Sequence, residues 1–226
     1  QMGTALIILA AGKGTRMNSD LPKVLHQVAG APLLIHAMKS GAAWAPERTV
    51  VVAGHGADAV AKAARDWDEA AEVVLQEDQL GTGHAVQMAR PALAGFDGDV
   101  IVLYGDTPFI RPETLEAMAE ARKVHDVVVL GFEAADPGRY GRLVTSGDAL
   151  DRIVEWKDAT EDERAIGLCN SGVLAADARL LGELVAGLSN DNAAGEYYLT
   201  DVVAAARGRG LSAEVVLCDE AETLGI

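Results

Sequence analysis

The stretch TALIILAAGKGTRMNSDLPK (residues 4–23) joins an apolar run to a glycine-rich, cationic segment. An apolar run ends at Ala11, and glycines and cations follow at once. Because the run is much shorter than the roughly 18 apolar residues of a membrane span, we interpret it as a buried strand. In open parallel sheets, ligands bind beyond the carboxyl ends of the strands, and a glycine-rich turn there brings backbone N–H groups close to phosphate. The stretch therefore predicts a local anion site.

Short aliphatic and β-branched runs recur along the first half of the chain, and Ala-rich segments separate them. This alternation is typical of βαβ units, whose right-handed crossovers give a parallel sheet that is covered on both faces. Pro32 and Pro112 are expected in the first turns of the helices LLIHAMKSGAAWA and ETLEAMAEARK. The pattern predicts an α/β fold with strands at Leu6 to Leu9, Thr49 to Val52, Val73 to Leu75, Val100 to Leu103 and Val127 to Leu130.

The pattern becomes less regular after Ala134. RYGRLVT and LDRIVEW, with the polar segment SGDA between them, predict two paired strands. NSGVLAA and Ala213 to Leu217 predict further strands, while Ala178 to Val185 and Tyr197 to Arg207 predict helices. No linker or low-complexity segment interrupts the chain. We therefore predict one domain over residues 1–226, with a nucleotide-style first half at about 1–110 and a more irregular second half at about 111–226.

Composition restricts the classes of partner. With 34 acidic and 19 basic residues, the formal net charge is -15, so the overall field repels nucleic acid and anionic lipid. We predict neither nucleic-acid nor membrane binding. Cys169 and Cys218 form no CxxC pair and are too few for a disulfide framework, so we expect reduced thiols in a cytoplasmic protein.

The glycine-rich turn does not follow either of the common nucleotide-binding patterns. Gly12 and Gly14 lack the third glycine of the dinucleotide fingerprint, and the Walker motif GxxxxGK[ST] is absent. Arg16 offers a planar fork for phosphate oxygens, whereas Lys23, after the rigid Pro22, is a point charge. The alternative is a plain strand-to-helix connection with solvated cations.

The strings LAAGKGTRM and SDLPKVLH resemble the signature of the sugar-phosphate nucleotidyltransferases, specifically the uridylyltransferase domains of bacterial N-acetylglucosamine-1-phosphate uridyltransferases. VLQEDQLGTGHA, LYGDTP, GRYGRLV, IVEWKDAT, NSGV and NAAGEYYLTD agree with this resemblance, in the expected order from Leu9 to Asp201. It implies a Rossmann-like three-layer nucleotidyltransferase fold with a mainly parallel central sheet.

The resemblance also assigns roles to residues of the nucleotide half. Asp106 follows an apolar strand, and a carboxylate there suits Mg²⁺, which commonly binds one or two protein groups together with substrate phosphates. A turn-capping Asp before Pro is the alternative. The Gln76 amide offers donors and an acceptor that match a uracil edge. The implied assignments are Arg16 and Lys23 as catalytic, Asp106 as the Mg²⁺ ligand, and Leu9, Ala10, Ala11, Gly12, Gln76, Gly81 and Thr82 as nucleotide-binding.

Recognition of a sugar needs polar groups that match its hydroxyls and acetamide. By resemblance these are Tyr104, Gly141, Glu155 and Asn170, with Glu196 and Thr200 on the same wall. For Glu196 and Thr200, an amphipathic helix start is the alternative. His84 is expected to pack at the first turn of a helix without a catalytic role, and Cys169 to be a packing residue.

The implied reaction converts UTP and N-acetylglucosamine 1-phosphate to UDP-N-acetylglucosamine and pyrophosphate, for cell-wall precursor synthesis. The β-helix acetyltransferase domain usual in this family has no counterpart here, so a monomer is expected, and a trimer if that domain were attached. An asparagine expected as second metal ligand would lie just past Ile226. The alternatives are another sugar-1-phosphate nucleotidyltransferase or a truncated nucleotide-binding module with little activity.

Overall fold

The computed structural model describes residues 3–12, 21–107 and 109–223. Its strands are β1 (Gly3–Ala10), β2 (Gln27–Val28), β3 (Ala31–Pro32), β4 (Arg48–Ala53), β5 (Glu72–Leu75), β6 (Gly98–Tyr104), β7 (Val127–Glu133), β8 (Arg142–Ser146), β9 (Ala149–Val154), β10 (Leu168–Asp177) and β11 (Ala213–Leu217). Its α-helices are α1 (Leu33–Gly41), α2 (Ala57–Trp67), α3 (Thr82–Ala89), α4 (Pro112–Arg122), α5 (Glu161–Arg164), α6 (Ala178–Ala186) and α7 (Val202–Gly208). None of these helices has the length and apolar character to span a membrane.

One sheet runs through both halves of the chain, with its main path in the order β11-β7-β10-β6-β1-β4-β5. The pairs β1–β4, β1–β6, β4–β5 and β7–β11 are parallel. Strand β10 is inserted antiparallel between β6 and β7. The expectation of a mainly parallel central sheet is confirmed.

Helices cover both faces of this sheet, because the side chains of β1 alternate between two apolar clusters. Ile7 lies in a cluster with Val86 of α3 and residues of α6 and α7. Ile8 lies in a second cluster with Leu115 of α4 and residues of α1 and α2. Both isoleucines are almost fully buried, so the molecule has the three layers that were expected.

The predicted strand pair of the second half is an antiparallel hairpin of β8 and β9. It joins the main sheet where Arg142 lies opposite Cys169 of β10. Cys169 is fully buried, as expected of a packing residue, and both cysteines are free thiols.

Two predicted helices differ from those observed. Pro32 is the N-cap residue of α1 rather than part of its first turn, and α1 ends at Gly41, before a 3-10 turn at Ala42–Trp44. The helix predicted from Tyr197 begins later, with a 3-10 turn at Leu199–Asp201 that leads into α7. The reason is that the backbone of Tyr197 is already engaged, since its N–H donates to Leu80 O and its carbonyl accepts from Gly83 N.

Candidate active site

The carboxyl end of β1 forms the floor of the candidate site. Leu9 pairs with Tyr104 of β6, and Leu9 O accepts a hydrogen bond from Gly105 N at 3.0 Å. Leu9, Ala10 and Ala11 are buried and have apolar side chains, so any polar contact that they make is through the backbone. Gly12 is exposed, and a Cβ atom there would meet no described atom within 4 Å. Within the part of the chain that the structure describes, no atom would contact a side chain at Gly12.

Lys23 and Asp106 meet near the carboxyl end of β1. Lys23 Nζ lies 3.5 Å from Asp106 Oδ2, and the two side chains are 32% and 39% exposed. Lys23 begins a 3-10 turn at Lys23–Leu25, and Asp106 follows β6. The predicted phosphate cation and the predicted metal carboxylate are thus brought together at the rim of the sheet.

Gln76 follows β5, the strand at one edge of the sheet, and is only 2% exposed. Its amide Nε2 lies 3.2 Å from Gly81 O and 2.8 Å from His84 Nδ1. The neighbouring Gln79 Nε2 donates to Gln76 O. A Cβ atom at Gly54 would lie 2.6 Å from Gln79 Nε2 and 2.8 Å from Ala11 O. The segment from Gln76 to Gln79 therefore packs close to the turn after β1.

The loop that carries Gly81 is braced by a segment more than a hundred residues away. Tyr197 N donates to Leu80 O at 2.8 Å, and Gly83 N donates to Tyr197 O at 2.7 Å. Gly81 has φ +110, and a Cβ atom there would lie 2.6 Å from Tyr197 O. Both the backbone conformation and the close packing require glycine.

Thr82 and Tyr104 lie between the residues around Gln76 and the polar group around Glu155. Thr82 Oγ1 accepts a hydrogen bond from Leu199 N at 2.9 Å, and the Thr82 side chain lies close to the Tyr104 hydroxyl, where it opposes the rise in the Tyr104 pKa. The Tyr104 ring packs on Gly172, where a Cβ atom would approach to 2.7 Å. Loss of hydration, followed by the nearby Glu155 and Asp106 carboxylates, raises the pKa of Tyr104 well above its usual value.

Glu155 and Thr200 form the polar group on the far side of Tyr104. Thr200 Oγ1 donates to Glu155 Oε1 at 2.9 Å, and Thr200 is 9% exposed. Burial raises the pKa of Glu155; the Thr200 hydrogen bond opposes this, while Asp201 and Asp158 add to it. This carboxylate is an acceptor for hydroxyl groups held away from bulk water.

Gly141 and Asn170 lie next to Glu155. Asn170 N donates to Gly141 O at 2.8 Å, and a Cβ atom at Gly141 would lie 3.6 Å from Glu155 Oε1. Asn170 Oδ1 accepts from Gly172 N at 3.0 Å. Since that oxygen is engaged, the Asn170 side chain offers a ligand mainly its amide N–H groups.

Arg16 and Glu196 are the predicted site residues that remain to be considered. Arg16 lies outside the described residues, so its placement stays a prediction. Glu196 is exposed, and its N–H and C=O bond Asn192. Its side chain makes no hydrogen bond to Glu155 or Thr200 in the described part of the chain. Across residues 3–12, 21–107 and 109–223, no group of three or more His, Cys, Asp or Glu side chains could hold a metal ion.

The contact of His84 with Gln76 and the backbone bonds of Tyr197 to the Gly81 loop were not predicted from the sequence. His84 lies in the first turn of α3, as expected, but it also contacts the predicted base-binding amide. Its spacing of eight residues from Gln76, across a glycine-rich loop, was the available signal. Tyr197 acts through its backbone, which no side-chain pattern reveals.

A family model described as the MobA-like NTP transferase domain matches residues 6–173. The chain belongs to this MobA-like NTP transferase family. The matched part of the NTP transferase chain contains the corners built around Gln76, Asp106, Glu155 and Asn170, whereas Thr200 lies beyond it.

The chain is also similar over nearly its whole length to longer proteins. It is 68% identical over 225 residues to the bifunctional protein GlmU of Ruegeria pomeroyi, which covers 100% of this chain and 50% of that protein. It is 70% identical over 222 residues to the bifunctional protein GlmU of Cereibacter sphaeroides, with 98% and 49% covered. The NTP transferase chain thus spans about half the length of the curated relatives it matches.

Solved structures of low sequence identity share the fold. A UDP-glucose pyrophosphorylase complexed with UDP-glucose matches with a TM-score of 0.79 at 20% identity, covering 95% of this chain and 91% of that chain. An inositol-1-phosphate CTP transferase from T. maritima matches with a TM-score of 0.76 at 20% identity, covering 97% and 86%. The expected Rossmann-like nucleotidyltransferase fold is confirmed.

Proposed function

We propose that this chain transfers a uridylyl group from UTP to N-acetylglucosamine 1-phosphate, giving UDP-N-acetylglucosamine and pyrophosphate. The observation that carries the proposal is the position of Tyr104, whose ring packs on Gly172 and whose pKa is raised by burial first and then by the nearby Glu155 and Asp106 carboxylates. A phosphate-type corner and a sugar-type corner therefore meet at one side chain. The near-full-length similarity to proteins named bifunctional protein GlmU supports this choice of substrates.

In the proposed complex, the uridine lies between the turn after β1 and the Gln76 corner. Backbone groups from Leu9 to Gly12 and the amide of Gln76 hold the base. Gly81 and Thr82 close this side, and their geometry is set by the bonds to Tyr197 and Leu199 described above. The rigidity of this corner reduces the ordering cost of binding.

The triphosphate extends towards Lys23, with Arg16 assigned to the same phosphates by resemblance. In the reaction, an oxygen of the sugar phosphate attacks the α-phosphorus of UTP. A P–O bond forms there as the bond to the β-phosphate oxygen breaks, and pyrophosphate leaves with the electron pair. Positioning and charge neutralisation supply most of the catalysis in such transfers, so no protein nucleophile is needed.

Asp106 fits the proposed role of a Mg²⁺ ligand. Its carboxylate is partly exposed and its only described charged partner within salt-bridge distance is Lys23, so its oxygens are accessible to a hard cation that keeps waters and phosphate oxygens as further ligands. When bound, Mg²⁺ would neutralise charge on the phosphates. Among the chain's own groups, Lys23 places a positive charge at the same position.

The sugar is proposed to bind across Glu155, Thr200, Gly141 and Asn170. Glu155 accepts from a sugar hydroxyl, the Gly141 backbone allows close approach, and the Asn170 amide N–H groups face the acetamide oxygen. Tyr104 forms the wall between sugar and nucleotide, and Glu196 is proposed at the margin of this pocket.

We further propose that residues 1–226 act as one cytoplasmic domain, monomeric as this chain. The continuous sheet, which contains strands from both halves, supports the single domain. Light scattering would reject the monomer if it gave a trimer mass.

Pyrophosphate release over a panel of nucleoside triphosphates and sugar phosphates tests the function. We expect the highest kcat/KM with UTP and N-acetylglucosamine 1-phosphate, on this chain and on one extended past Ile226. Highest kcat/KM with another pair would indicate a different sugar nucleotidyltransferase. Nucleotide binding without pyrophosphate release from either chain would indicate a binding module.

A further inference from the structure

His84 makes a contact that the proposed reaction has not used. It lies in the first turn of α3, and its Nδ1 is 2.8 Å from Nε2 of the buried Gln76. The same Nε2 lies 3.2 Å from Gly81 O. The amide nitrogen of Gln76 therefore has two neighbours placed to accept its two protons.

The Gly81 carbonyl decides which way the Gln76 amide faces. A carbonyl oxygen only accepts hydrogen bonds, so the amide group beside it must be the NH₂ and not the oxygen. With that orientation fixed, His84 Nδ1 must accept the second proton. His84 is then a neutral imidazole with its own proton on Nε2.

The position of Gly81 is itself fixed. Its positive φ of +110 and its tight packing against Tyr197 O leave little room for the loop to move. The N–H of Ala85 also donates to Gly81 O, at 3.0 Å. The carbonyl that orients Gln76 is thus held by both α3 and the Tyr197 segment.

We propose that His84 is a positioning residue that fixes the Gln76 amide so that only its carbonyl oxygen is presented to the base. The inference rests on the proposed function, in which a pyrimidine binds at Gln76. An acceptor at this point matches the N3–H of uracil or thymine. It opposes the unprotonated N3 of cytosine, which is also an acceptor. His84 therefore contributes to selecting UTP over CTP without contacting either nucleotide.

Variants at position 84 test the inference through the ratio of kcat/KM for UTP to that for CTP. In His84→Leu the second amide proton loses its acceptor and the amide reorients more easily. The ratio is expected to fall roughly 5- to 30-fold, the effect of one or two kcal/mol. The change should appear in KM for UTP, with kcat at saturating UTP within about twofold, because uniform binding is lost.

A conservative variant separates positioning from simple packing. His84→Asn places an amide oxygen near the former Nδ1, so it should restore most of the UTP preference. Gln87→Ala, on the same helix but bonded to Arg90, is the matched control and should match the wild type. An unchanged ratio in His84→Leu, or equal losses in His84→Leu and His84→Asn, would overturn the inference.

Two-dimensional ¹H–¹⁵N NMR of the histidine rings in the full chain provides a readout that does not depend on turnover. We expect His84 at neutral pH to be neutral, with Nδ1 unprotonated and Nε2 protonated. A proton on Nδ1 would contradict the proposal.

Direct binding of UTP and CTP, measured by calorimetry, distinguishes failure of the inference from failure of the proposed function. If the wild type binds UTP in preference to CTP, and His84→Leu loses that preference, the inference stands even where no pyrophosphate is released. If pyrophosphate is released but the variants leave both preferences unchanged, the function stands and the inference fails.

Discussion

Lys23 Nζ lies 3.5 Å from Asp106 Oδ2, so the proposed catalytic cation and the proposed metal-binding carboxylate form an ion pair. Both side chains are about one third exposed, and the pair is correspondingly weak. A metal ion held by this carboxylate would compete with the ammonium group for Asp106. Lys23 would then be more available to the phosphates of the nucleotide.

Replacement of Lys23 should therefore affect metal binding and turnover in opposite directions. In Lys23→Met, Mn²⁺, as a spectroscopic substitute for Mg²⁺, should bind the nucleotide-free protein about two- to fivefold more tightly, because a competing charge worth up to about 1 kcal/mol is removed. Turnover should fall at the same time. Electron paramagnetic resonance titration measures the first effect, and weaker Mn²⁺ binding would argue against the exchange. Lys62→Met removes an exposed helix pair with Asp66 and serves as the control.

Asp106→Asn should abolish most Mg²⁺-dependent turnover while leaving UTP binding measurable. We expect kcat to fall about 100-fold or more, since a bound cation contributes several kcal/mol to the transition state. Pyrophosphate release as a function of Mg²⁺ concentration measures this effect, and calorimetry reports UTP binding. Asp66→Asn, at the surface of α2, is the matched control. An unchanged Mg²⁺ dependence would remove Asp106 as the ligand.

Glu155 should make the protein less stable as the pH rises. Burial raises its pKa above the ordinary value of 4.5, so the folded state binds the proton more tightly than the unfolded state does. The contribution to stability is complete below the unfolded pKa and is lost as the pH rises through the folded pKa. Urea unfolding at a series of pH values should show this decline, and Glu155→Gln should flatten it. An identical pH profile in the variant would contradict this assignment.

Gly81→Ala should destabilise the loop more than an alanine at another glycine with positive φ. We expect a loss of about 2–4 kcal/mol in the free energy of unfolding, from backbone strain plus the clash with Tyr197 O, together with a raised KM for UTP. Gly95 has φ +76 but open space around its Cβ position. Gly95→Ala should therefore cost only about 1–2 kcal/mol and leave KM unchanged. Chemical denaturation compares the two variants, and equal losses would show that Tyr197 does not brace the loop.

The layers and most strands could be predicted because β-branched runs such as that of β4 are buried on both faces of a sheet. The direction of β10 could not, since its residues are equally apolar in either orientation and only its pairing with β6 and β7 makes it antiparallel. The helix was predicted to begin at Tyr197, but the observed 3-10 turn begins at Leu199 and α7 at Val202. Amphipathic spacing does not reveal that the Tyr197 backbone is bonded to a distant loop.

For the candidate site, resemblance selected residues such as Glu155, Thr200 and Asn170, and the structure brings them together. It could not show which of their hydrogen-bonding atoms are already engaged. Asn170 Oδ1 and the Gln76 amide nitrogen are both occupied by internal partners. These partners, set by loop geometry, determine what each amide can offer to a ligand.

The proposed reaction requires its product, UDP-N-acetylglucosamine, to span the phosphate corner at Lys23 and Asp106 and the sugar corner at Glu155. A crystal structure of the protein with UDP-N-acetylglucosamine and Mg²⁺ would show this binding mode. We expect uracil at Gln76, the diphosphate beside Lys23 and Asp106, and the sugar against Glu155 and Asn170. Nucleotide bound away from the turn after β1, or a sugar directed away from Glu155, would contradict it.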